Sequence, residues 1–185
     1  MLKSHFPSFL LICSFFFLFS TCFIKDEIMA PPGLDQVEWN IDIPPGGNSW
    51  VVNQSEKNQD MISKSGIQNW SNSVNRIKTF FRVEETGELL LALRVRASEG
   101  TSRLKCTFGG ISKEIEVSNT SFTTVPIGSF RVDQIGYHSL ELQGASKTGS
   151  TFAEVSGILL GGVVSEGEVH FVKDDFYWGR RGPSV

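Results

Sequence analysis

Residues 88–97 read ELLLALRVRA. Leu89, Leu91, Leu93, Val95 and Ala97 share one face at period two, which predicts a strand with one buried side. Leu90 and Ala92 make the first half of the other face apolar, and Arg94 and Arg96 make its second half polar. That pattern suits a central strand that is roofed over for part of its length. Residues 101–108 alternate again, with Leu104, Cys106 and Phe108 on one side and Arg103, Lys105 and Thr107 on the other.

Gly109-Gly110 follows, then the alternating run 111–117. A Gly-Gly link between two such runs predicts a two-residue hairpin, because a type I′ turn takes positive φ at both central positions. The turn sets 108 opposite 111, 106 opposite 113, 104 opposite 115 and 102 opposite 117. One face then gathers Leu104, Phe108, Ile111, Ile115 and Val117. The other sets Lys105 against Glu114 and Arg103 against Glu116, each pair contributing about 0.2–1 kcal/mol. A register slip would lose both pairs and the apolar face together. The charged face reads as solvated sheet surface.

Shorter runs predict further strands at 39–43, 49–52, 76–83, 122–130, 137–143, 152–160 and 169–172. Pro44-Pro45-Gly46-Gly47 is a turn signal, and Glu84-Glu85-Thr86-Gly87 predicts a hairpin joining 76–83 to 88–97. Pro126 assigns 122–130 to an edge or a bulge, and Gly157 interrupts 152–160. Residues 53–75 are polar and aperiodic, a long loop with one short strand at 61–63; long loops on such scaffolds are where binding sites sit. About nine or ten short strands at regular spacing predict an all-β fold, an antiparallel β-sandwich of jelly-roll-like form.

The composition agrees. The chain has 185 residues, 40% hydrophobic and 20% charged, ordinary for one globular domain. Its formal charge of −3 gives no basic footprint for nucleic acid. Lys3 and His5 precede the apolar run 9–19, which is too short to span a membrane and the right length for the core of a signal peptide. Ser20-Thr21-Cys22 resembles a bacterial lipobox, with Phe19 and Thr21 departing from its usual residues, and Lys25-Asp26-Glu27 resembles an acidic surface-export signal. Lipidation at Cys22 and ordinary secretion with cleavage near Ala30 are both open, and both put the domain outside the cell. The division is therefore a signal peptide at 1–22, a tether at 23–37, a sandwich at 38–172 and a tail at 173–185. Cys13 lies in the signal, and Cys106 sits on an inward strand position as a buried, inert thiol with no disulfide partner.

The chain has no paired-cysteine motif, no H-E-x-x-H, no P-loop and no G-x-G-x-x-G. His138 and His170 have neither ligand spacing nor the arrangement of a triad, and His138 reads as a satisfied strand-end histidine. Asp133, Glu141 and Glu154 could serve as calcium or sugar ligands but read first as solvated surface. No cofactor is implied, with a structural calcium left open. The stronger signal is aromatic: Trp50, Trp70, Tyr137 and Trp178 fall near loops. Sugar rings stack on aromatic faces while amides bond their hydroxyls, so Trp50, Asn69, Trp70 and Tyr137 are the candidate ligand contacts.

Four segments carry a family resemblance: IPPGGNSW at 43–50, GIQNW at 66–70, GYHSLELQGASKTG at 136–149 and FAEVSG at 152–157. Together they make residues 39–172 resemble the bacterial family called domain of unknown function 5077. The resemblance implies a secreted protein, often a lipoprotein, in which this domain commonly precedes domain of unknown function 3472. The tail DDFYWGRRGPSV at 174–185 resembles the start of that second domain. The chain is accordingly read as a truncated or split form, with a loosely held tail. The family supplies no catalytic residues to carry over, and its architecture looks like a carbohydrate-binding module.

The resulting expectation is a monomeric, non-catalytic module that binds polysaccharide. It would be secreted or held as a lipoprotein on the outer membrane or surface of a bacterium, touching the membrane only through a lipid anchor. The alternatives are a docking module that positions a partner domain through Phe176, Tyr177 and Trp178, and, ranked last, a glycan-active enzyme built on two facing carboxylates.

Overall fold

Among the described residues, alternation along the strands becomes two antiparallel sheets, six-stranded each, whose inner faces share one core. The computed structural model describes residues 37–53 and 61–173. The signal segment with Cys22, the tether up to residue 36 and the tail with Phe176, Tyr177 and Trp178 lie outside the described residues. In chain order the elements are β1 (Ile41–Ile43), α1 (Pro45–Asn48), β2 (Ser49–Val51), β3 (Ile62–Ser63), β4 (Gly66–Ile67), β5 (Arg76–Val83) and β6 (Gly87–Arg96). After these come β7 (Ser102–Phe108), β8 (Ile111–Val117), β9 (Thr123–Val132), β10 (Gly136–Lys147), β11 (Glu154–Gly161), α2 (Val163–Glu166) and β12 (Val169–His170).

The first sheet runs β3-β4-β11-β6-β9, with β1 also on β11; the second runs β12-β5-β10-β7-β8, with β2 also on β5. Among the described residues only β3–β4 and β7–β8 are local hairpins. Every other step from one strand to the next changes sheet, the winding of a jelly roll. This corrects the expectation at Glu84–Gly87. Turn chemistry is present there, but β5 and β6 lie in opposite sheets, and Gly87 at φ 136° carries the chain across. A hairpin would set the two apolar faces side by side; the crossing sets them against each other.

Leu89, Leu91, Leu93 and Val95 of β6 are fully buried and join one cluster with Phe81 and Val83 of β5 and Leu140 and Leu142 of β10. Phe108 ties the layers together. It stacks on Phe81 at 6.2 Å within its own sheet and meets Phe130 of the other sheet edge-on at 5.4 Å. The outer face of β6 is apolar at Leu90 and Ala92 and polar beyond, as its sequence predicts. The roof is α2, which with Gly162 packs against Leu90.

The β7–β8 hairpin has the predicted register, with Gly109 at φ 55° and Gly110 at φ 81°. Arg103 and Glu116 form the expected ion pair at 3.2 Å. Ile111 departs from expectation: at the turn of an edge strand it is 55% exposed. Lys113 takes the inward phase opposite Cys106, but its Nζ lies 4.7 Å above the Phe130 ring and donates to the Ser129 carbonyl at 2.9 Å. An inward lysine on an edge strand discourages a further strand from adding there. Pro126 sits on the edge strand β9 beside a register shift, as its sequence predicts.

Among its described residues the 53–75 stretch holds two short strands rather than one, because β3 and β4 pair with each other and β4 docks on β11. Gly66 makes that docking possible. Its φ is 108°, and a Cβ there would meet the Val155 carbonyl oxygen at 2.1 Å. Gly110 also has positive φ but faces open space. Gly66→Ala is therefore expected to destabilise the fold by about 3 kcal/mol or more, and Gly110→Ala by only about 1 kcal/mol. Equal midpoint shifts for the two variants in urea denaturation would refute the backbone clash. Burial pushes the Cys106 thiol up to about 12. The native chain and Cys106→Ser should thus react equally with Ellman's reagent at pH 8 and differ by one thiol only in denaturant. A native difference between them would show the thiol to be accessible.

Candidate functional site

The outer face of the second sheet is built in cross-strand rows, because β5, β10 and β7 alternate buried and solvent-facing positions in register. One row is Arg76, Gln143, Lys105. The next is Trp50, Lys78, Glu141, Thr107, Ser112. Phe80 then faces Ser139, and beyond them His170, Arg82 and Tyr137 align. Glu141 lies 3.8 Å from Arg76 and 3.5 Å from Lys78, so one carboxylate serves two cations. Trp50 is half-buried and meets Phe80 edge-on at 5.6 Å.

At the Arg76 end of this face lies an open pocket of about 580 Å³. Arg76, Lys105 and Gln143 line it, with Asn53, Val74 and Ala145 at its borders, and among the described residues no carboxylate lines it. The β10 ladder shifts register between Gly144 and Ser146, and this bulge re-aims the strand where the pocket opens. The 72–75 segment forms the wall. Asn72 Oδ1 accepts the Val74 N–H at 2.9 Å, and the Asn53 side-chain amide donates to the Val74 carbonyl at 3.3 Å. Gln143 Nε2 donates to the Ser73 carbonyl at 3.3 Å.

Trp70 is a correction. It was a candidate contact, but it is 0% exposed and its ring offers no face to a ligand. It tilts on Phe152 at 5.2 Å, and its Nε1 donates to the Asn72 carbonyl at 3.0 Å, so it roots the wall from inside the core. The other three candidates do not converge. Trp50 is on the outer face, one row from the pocket. Asn69 is exposed on the loop after β4, in the left-handed region at φ 55°. Tyr137 is 65% exposed, six residues along β10 from Gln143, hence about 20 Å away.

The carboxylates offered for calcium are also dispersed. Asp133 pairs with Arg131 at 2.8 Å, Glu154 takes two bonds from Arg96 at 3.0 and 2.7 Å, and Glu141 faces Arg76 and Lys78. Each answers a cation on a different part of the surface, so they do not fit one calcium ion, and among the described residues no three His, Cys, Asp or Glu side chains gather to hold a metal. His138 is satisfied as expected: its Nε2 lies 2.9 Å from the Gln134 carbonyl and its ring stacks on Phe108. The pocket residues Arg76, Lys105, Gln143 and Val74 were not singled out from sequence. For Arg76, Lys105 and Gln143 the one signal was the polar phase of three strands, which only the sheet order brings together; Val74, in the loop before β5, gave none.

Solved structures with this fold include the GH26-CBM35 β-(1,4)-mannanase of Podospora anserina, at TM-score 0.50 and 14% identity, over 65% of this chain and 27% of that one. The CBM35 from Cellvibrio japonicus Abf62 matches at TM-score 0.50 and 13% identity, over 71% of this chain and 96% of that module. The chain thus spans about a quarter of the mannanase and nearly all of the separate module. No curated protein matches the sequence. The model of the family described as "Domain of unknown function (DUF5077)" matches residues 43–165, and the chain belongs to that family.

Proposed function

We propose that the chain is a non-catalytic extracellular module that binds carbohydrate at the cell surface through the outer face of its second sheet. The observation that carries the reading is the solvent-facing pocket with Trp50 one row away. It combines an apolar border at Val74 with amide groups at Asn53 and Gln143, beside an aromatic pair formed by Trp50 and Phe80. Sugar rings present apolar faces and hydroxyl edges, and such a surface matches both. The likeness to a carbohydrate-binding module supports the reading at the level of fold. Residues 1–22, as a signal segment, support the location, with Cys22 as the lipid-bearing residue of a surface lipoprotein.

Tyr137 belongs to the same face but to its far end. A short oligosaccharide seated at the pocket and Trp50 would not reach it, whereas a chain lying along β10 would. The test is binding to a panel of polysaccharides and their oligomers, by retardation in gels and by calorimetry. Trp50→Ala is expected to weaken binding about tenfold or more for every length of ligand. Tyr137→Ala should weaken only the long ligands. Wild-type affinity in Trp50→Ala, for a glycan the native chain binds, would remove this face as the site.

A further inference from the structure

Resting on the carbohydrate-binding reading above, we infer that the pocket selects a negatively charged sugar, whose acid group sits between Arg76 and Lys105. The two cations flank Gln143 in one row on three adjacent strands. With strands about 4.8 Å apart, their backbones stand about 10 Å from each other. Both line the pocket, and among the described residues no carboxylate does. Arg76 is only partly neutralised, since Glu141 is 3.8 Å away and is shared with Lys78 at 3.5 Å. Lys105 faces Glu114 in register but forms no ion pair with it, unlike Arg103 and Glu116 one row along.

The remaining groups suit the rest of a sugar acid. Gln143 and Asn53 use their amide nitrogens on the Ser73 and Val74 carbonyls, leaving their side-chain oxygens to accept from hydroxyls. Val74, 48% exposed, offers an apolar contact to the ring. The whole chain carries −3 formally, so two lining cations mark a local preference and not a general basic character. A carboxylate and a sulfate share the required chemistry, a compact anion accepting charge-assisted hydrogen bonds.

The test uses the full chain and matched probes: polygalacturonate against its carboxyl-reduced form, and a sulfated galactan against its desulfated form. Calorimetry is run for the native chain, Arg76→Gln and Lys105→Gln, with circular dichroism to verify folding. Tighter binding of an acidic probe than of its neutral match is expected, with a loss of about tenfold or more in each variant. The affinity should also fall as salt is raised. Preference for polygalacturonate identifies a carboxylate, and preference for the sulfated galactan a sulfate. Equal binding of a charged probe and its neutral match, untouched by either variant, would overturn the inference and leave the carbohydrate reading standing. Absence of binding to these probes and to every glycan of the wider panel would overturn both.

Discussion

Neither sheet can bury its apolar face alone, and the chain supplies the two sheets by turns. A strand such as β6 leaves Leu89, Leu91, Leu93 and Val95 exposed until β5 and β10 stand opposite, and β5 in turn needs β6. Each crossing therefore delivers the partner of the strand just laid down. The contact of Phe108 with Phe81 in one sheet and Phe130 in the other shows the same dependence in three rings. Many of these contacts join strands far apart in sequence, since β11 lies between β4 and β6 while β10 lies between β5 and β7. Such a fold gains little from any one hairpin and forms as a unit.

The two outer faces are then used differently. That of the first sheet is partly closed by α2 over Leu90 and laced by Arg94 to Asp42 and Arg96 to Glu154. That of the second sheet carries no helix among the described residues, and its rows stay open to solvent. Because β10 is central in that sheet, its outward Glu141 and Gln143 have neighbours on both sides, in β5 and in β7. A row such as Arg76, Gln143, Lys105 is held by two ladders of backbone hydrogen bonds. Pairing of that kind fixes where the two cations stand more firmly than a surface loop would.

How much of this was legible in the sequence follows from the range of each signal. The β7–β8 hairpin was readable to the residue, because Gly109-Gly110 and the alternation around it are local. The bulged edge strand at Pro126 was readable too, since a missing N–H has the same effect wherever the strand lies. Glu84–Gly87 misled because polar turn residues bend a chain without stating whether its two arms pair or part. Trp70 misled because loop composition gave no phase, and only the packing on Phe152 shows that the ring points inward. The cationic pocket was hidden for a related reason: Arg76, Gln143 and Lys105 each looked like ordinary solvated residues, and their meeting depends on a strand order that no local pattern encodes.

That origin bears on what kind of recognition the proposed site would perform. On a chain of formal charge −3, the long-range field does not draw anions in. At physiological salt, charges beyond about 8 Å are largely screened, so an acidic glycan near the second sheet responds chiefly to the groups nearest to it. Those are Arg76 and Lys105, with Glu141 shared between Arg76 and Lys78 on one side. Discrimination by such a pair acts on the bound state more than on the encounter, and would be expressed in the rate of release. The aromatic pair of Trp50 and Phe80 adds contact that does not depend on charge. On the proposed reading the face would divide its work, with ring stacking holding any sugar of suitable shape and the cationic row choosing among those that bind.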